Sequence, residues 1–129
     1  MSFSLNFHIE ANLERRVIYE KIYGLWKKET AVEYHEEFMR VAEPLIKGKW
    51  AKLINLSNWK TSYPEVNAVI GDHLRWCREN GMVLSINVIE NPITKTQLKK
   101  MFTAGGTGSI SKLVRSQDDG EKLLTQNGF

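Results

Sequence analysis

Apolar and polar residues alternate from Phe3 to Glu10, with Phe3, Leu5, Phe7 and Ile9 set against Ser4, Asn6, His8 and Glu10. A period of two puts the four apolar side chains on one face of a strand. A polar turn over Ala11 to Arg15 leads into a second extended run, Val17 to Tyr23, closed by Gly24. The two segments read as an antiparallel hairpin.

The period then changes. Ala31, Tyr34, His35, Phe38, Ala42 and Leu45 follow helical spacing behind Thr30-Ala-Val-Glu33, a capping-box pattern. Pro44 ends the regular helix near Ala42 or Glu43, because proline removes an amide donor and restricts its predecessor. Ala51 to Leu56 is a short apolar run, as expected of a strand covered on both faces. A tight polar loop follows, and Ser62-Tyr-Pro-Glu65 opens the next helix, with Pro64 where the amide has no partner anyway. Val66, Val69, Ile70, His73, Leu74 and Cys77 mark its apolar face, and Asn80-Gly81 stops it.

Met82 to Ile89 predicts another strand. A third helix carrying Leu98, Met101 and Phe102 opens at Asn91-Pro92 or at Thr94-Lys-Thr-Gln97. The glycine-rich stretch Ala104 to Gly108 predicts a mobile loop or lid. Ser109 to Val114 reads as a last, edge strand, and Ser116-Gln-Asp-Asp119 caps a final helix ending near Gly128. Helices that alternate with strands after a hairpin imply right-handed crossovers and a mixed, mainly parallel sheet. The expected fold is α/β, with about five strands in one domain and helices packed mainly on one face.

Composition narrows the function classes. A chain of 129 residues suits one core. Its net charge of +3 comes from lysines and arginines scattered among glutamates, the pattern of a solvated surface rather than a nucleic-acid or anionic-membrane site. A single cysteine, Cys77, excludes an intramolecular disulfide. The start, MSFSLNFHIE, lacks the basic and apolar regions of a signal peptide, and no apolar run approaches a membrane span. These features point to a reducing cytoplasm.

Several segments carry a family likeness: Gly24-Leu25-Trp26, Thr30-Ala31, Tyr34, Trp50 to Trp59, Pro64-Glu65, Leu74-Arg75-Trp76 and Gln97 to Phe102. Together they resemble the bacterial SpoIIAA-like proteins of the STAS fold, over nearly the whole chain. The resemblance implies that fold and a regulatory role through protein contacts. Anti-sigma-factor antagonists of the fold carry an Asp-Ser-Ser-Gly turn whose serine is phosphorylated by a partner kinase. The matching turn is Lys60-Thr61-Ser62-Tyr63, followed by Pro64. It keeps two hydroxyls, so Ser62 and Thr61 are the implied phosphoacceptors, but the aspartate and glycine of the motif are absent.

In open α/β sheets, binding sites lie outside the carboxyl ends of the strands. The candidate site for a partner or ligand is therefore Asn55, Ser57, Trp59, Thr61, Ser62 and Tyr63, with Trp59 and Tyr63 expected at the surface. His73 and Cys77, four apart on one helix, would form a nucleophile pair if open to solvent. Their place on the apolar stripe makes them a buried thiol and a core-edge imidazole instead. His35, Glu36 and Glu37 diverge around their helix, and no zinc-ligand spacing exists, so no metal is expected. No loop has the helix junction of a phosphate cradle, and no cofactor is expected. The chain reads as a non-enzymatic regulatory or protein-interaction domain, with a protein or a second copy as partner. The alternative is a carrier of a small apolar ligand in an aromatic-lined pocket.

Overall fold

The computed structural model describes residues 6–60 and 63–129. Phe3, Leu5 and the two candidate phosphoacceptors, Thr61 and Ser62, lie outside the described residues.

Strands β1 (Phe7–Asn12) and β2 (Val17–Leu25) form the expected antiparallel hairpin. Asn12 makes the turn, its Oδ1 accepting from the Arg15 amide at 3.0 Å. Strands β3 (Trp50–Lys60), β4 (Met82–Val88) and β5 (Ser111–Val114) then add in parallel, giving the order β1-β2-β3-β4-β5. Each new parallel strand is added on the same side of the last. Right-handed crossovers therefore put helices α1 (Lys28–Ala42), α2 (Pro64–Glu79) and α3 (Pro92–Gly105) on one face. Helix α4 (Gln117–Gln126) has no strand to return to and folds under the other face.

Period-two phase decides what each layer receives. Ile18, Ile22, Trp50, Ile54 and Leu56 meet Phe38, Ile70, Leu98 and Phe102 of the three helices. Val17, Ala51, Leu53, Leu84, Ile86 and Val88 meet Leu124 of α4. The mixed sheet and helices mainly on one face match the sequence expectation. Among the described residues, no helix is long and apolar enough to cross a membrane.

Three local expectations are corrected. Helix α1 begins at Lys28, not behind a Thr30 cap; Thr30 sits inside its first turn and its Oγ1 accepts from the Lys27 amide at 3.4 Å. Strand β3 runs four residues beyond Leu56, because Asn58, Trp59 and Lys60 pair with Tyr23, Gly24 and Leu25 of the long β2. The expected polar loop is thus largely strand. The glycine-rich stretch is no lid either. Gly105 is the last residue of α3 and is buried against α2, where a Cβ would lie 2.7 Å from the Gly71 carbonyl oxygen. Gly106 then caps the helix at φ +71°, a conformation glycine adopts without strain.

Candidate functional site

Polar residues meet in two places, one buried under the helices and one at the carboxyl end of the sheet. The buried group starts from strand register. Lys52 of β3 lies between Ile18 of β2 and Ser85 of β4, and Ile54 lies between Glu20 and Asn87. Glu20, Lys52, Ser85 and Asn87 therefore share the face that α1 and α2 cover, in the phase of otherwise apolar positions. All four are buried.

Charge dominates this group. The Lys52 ammonium lies 3.3 Å from Glu20 Oε2, which has no aligned hydrogen-bond donor. Glu20 Oε1 accepts from the Tyr34 hydroxyl of α1. Burial pushes the Glu20 carboxyl above the usual carboxylate range, and Lys52 and Tyr34 only partly oppose this. Tyr34 is held well above an ordinary phenol, first by burial and then by the adjacent Glu20 charge.

From α2, His73 faces the same cluster. Its Nε2 is 3.5 Å from Lys52 Nζ and 3.6 Å from Cys77 Sγ, and its Nδ1 is 2.8 Å from Nδ1 of His35 on α1. One imidazole must donate in that last contact and the other accept, so both cannot be fully protonated there. Burial drives the His73 pKa well below its ordinary value, helped by Lys52 and His35; burial also lowers that of half-buried His35. The Cys77 thiol, fully buried, is pushed up to about 12. A thiol so protonated and enclosed is a poor nucleophile. The sequence placed Cys77 inside, and it is; His73 sits deeper than the core edge, at 1% exposure.

Tyr34, Lys52, Trp59, His73 and Asn87 also line an enclosed space of about 20 Å³ with Ile54 and Phe102. That is the room of one water molecule. A drug-sized or lipid-like ligand needs several hundred Å³. Among the described residues, no three His, Cys, Asp or Glu side chains are grouped to hold a metal ion.

The sequence-selected residues separate at the other place. Asn55 is half-buried and its Oδ1 accepts from the Ser57 amide at 3.0 Å, a local turn-type bond. Ser57 is exposed on the α4 side of the sheet's end. Trp59 does not reach the surface: it is 3% exposed and packs edge-to-face on Trp26 at 5.7 Å. The cause is a bulge in β3 between Asn55 and Asn58, which shifts the strand's phase by one residue so that Trp59, opposite Gly24, turns under the helices. Tyr63 is exposed as expected and forms the N-cap residue of α2.

Two further exposed apolar residues escaped the sequence reading. Leu25 ends β2 and is 54% exposed, and Ile93 in the first turn of α3 is 72% exposed. Since β2, β3 and β4 are parallel, Leu25, Tyr63 and Ile93 follow three successive strand ends on one side of the molecule. Val32, in the second turn of α1, is also exposed. The signal was available: Leu25 and Ile93 are large apolar residues flanking the expected strand ends.

No family model and no curated protein matches this chain.

Proposed function

We propose that the chain is a non-enzymatic regulatory or protein-interaction domain whose working surface is the carboxyl end of its parallel strands. One observation carries this reading: Leu25, Tyr63 and Ile93, which follow the ends of β2, β3 and β4, are each exposed, while the reactive polar groups are buried or half-buried. Large apolar side chains held at the surface of a rigid scaffold are the usual anchors of protein contacts. The sheet order supports a protein partner over a small molecule. Strands β2 to β5 follow one another without a reversal of order, so the parallel part of the sheet has no switch-point crevice in which a small ligand would sit.

Kinship with SpoIIAA-like proteins of the STAS fold belongs to the same proposal, supported by the hairpin followed by parallel crossovers. A cytoplasmic location is proposed with it, on the strength of a single buried thiol. A carrier of small apolar molecules, the other function suggested by the aromatic content, would have to enlarge the buried aromatic-lined space more than tenfold. The larger clefts, of about 340 and 500 Å³, are open and lined mainly by polar and charged side chains.

The test is affinity capture from the native host with the parent and with the triple variant Leu25→Asp, Tyr63→Asp, Ile93→Asp. The variant keeps the parent's unfolding midpoint and loses the partners recovered by the parent. Recovery of the same partners by both overturns the proposal.

A further inference from the structure

Among the described residues the sheet ends in two edge strands, β1 and β5, each unpaired on its outer side, and they differ. Strand β5 is four residues long and carries Lys112, features that discourage pairing with another chain. Strand β1 is six residues long. Among the described residues its outer edge lacks lysine, proline and a bulge, and its acidic Glu10 stands beside His8.

Hydrogen-bond parity shows which groups point outward. The Tyr23 amide donates to the Asn6 carbonyl at 2.8 Å, and β1 and β2 stay in register from there. Residues 6, 8, 10 and 12 thus exchange bonds with β2. The peptide groups of Phe7, Ile9 and Ala11 are directed away from it. Two copies joined antiparallel through these edges must pair odd residues with odd residues, so only a few registers are open.

Side-chain charge selects one of them. With a two-fold axis at Ile9, Phe7 pairs with Ala11 of the second copy, and His8 stands opposite Glu10 of the second copy, twice by symmetry. These are the non-hydrogen-bonded positions, where side chains approach most closely. Shifting the axis to His8 sets histidine against histidine, and shifting it to Glu10 sets carboxylate against carboxylate. His8 and Glu10 are both well exposed and already touch along the strand at 2.9 Å. They are free to exchange that contact for one across the axis.

We propose that the outer edge of β1 is a docking surface for a second copy of this chain, pairing antiparallel about Ile9 with His8 opposite Glu10. The joined sheet has ten strands and leaves the carboxyl-end surface open, so this inference stands apart from the proposed function. A strand pair of roughly 20 Å makes a small interface, so the dimer is weak and concentration-dependent.

Sedimentation velocity of the whole chain, from about 1 μM to about 1 mM, tests it. The parent associates into dimers within that range. His8→Glu replaces both attractions with repulsions and raises the dissociation constant about tenfold. The swapped pair His8→Glu, Glu10→His restores it to within about threefold. Because both residues lie on the surface, these variants keep the fold. Ile9→Cys, on the axis, gives a disulfide-linked dimer on oxidation, while the buried Cys77 stays free. A parent that remains monomeric throughout overturns the proposal. So does a dimer that His8→Glu leaves unchanged, or an Ile9→Cys chain that does not cross-link.

Discussion

Glu20 and Lys52, on neighbouring strands, hold opposite charges 3.3 Å apart inside the layer between sheet and helices. Removing water from two charges costs several kcal/mol each, so such a pair tolerates loss of both partners better than loss of one. Lys52→Met leaves an unpaired buried carboxylate and destabilises by about 3–5 kcal/mol. Lys52→Met combined with Glu20→Gln costs less than Lys52→Met alone. Urea unfolding of the single and double variants reads the difference.

His73 makes stability depend on acidity. Its folded-state pKa is well below the unfolded value, so below about pH 6.5 the unfolded chain binds the extra proton first. Stability from this group is present above that pH and is lost as pH falls toward the depressed folded value. His73→Gln removes that loss. Between pH 7 and pH 5 its unfolding free energy declines less than the parent's. The comparison cancels the opposite contribution of Glu20, whose raised pKa yields stability that is lost as pH rises. Equal slopes for parent and variant contradict the assignment.

Trp59 is a core residue. Trp59→Ala costs about 3–5 kcal/mol through the cavity left beside Trp26. Tyr63→Ala, at the surface, costs about 0.5 kcal/mol or less. Thermal unfolding monitored by circular dichroism separates the two.

Helices α2 and α3 touch backbone to backbone at Gly71 and Gly105. A Cβ at Gly105 would lie 2.7 Å from the Gly71 oxygen and 2.8 Å from Leu74 Cβ, whereas one at Gly71 meets Ala104 Cβ at 3.2 Å. Alanine gains about 1 kcal/mol of helix propensity at Gly71, inside α2, and less at Gly105, the last residue of α3. At Gly105, overpacking of roughly 1–3 kcal/mol cancels or exceeds this gain, and at Gly71 the two nearly balance. Gly105→Ala therefore unfolds at lower denaturant concentration than Gly71→Ala.

Much of the fold was legible because strand and helix periods are strong signals, and the hairpin, the Pro44 stop, the Asn91 and Ser116 caps and the edge position of β5 all appear. Asn91 Oδ1 accepts from the amides of Ile93 and Thr94, which decides between the two openings considered for α3. The end of β3 was not legible, since its length depends on where β2 stops, a long-range pairing. The Glu20–Lys52 pair was present in the pattern but overlooked. Each occupies the inward phase of its own strand, between Ile18 and Ile22 and between Trp50 and Ile54. Two charges of opposite sign in the apolar phase of adjacent strands predict a buried pair. Gly105 looked like loop chemistry because glycine serves turns and close helix contacts equally well.

The central claim is that partners dock at the carboxyl end of the parallel strands. A photo-reactive phenylalanine placed singly at Leu25, Tyr63 and Ile93, and as controls at Leu13 and Val83 at the opposite end, tests it inside the native host. Irradiation links the first three positions to a common protein and leaves the two controls unlinked. Adducts from Leu13 and Val83 with none from the other three would place the contact surface elsewhere.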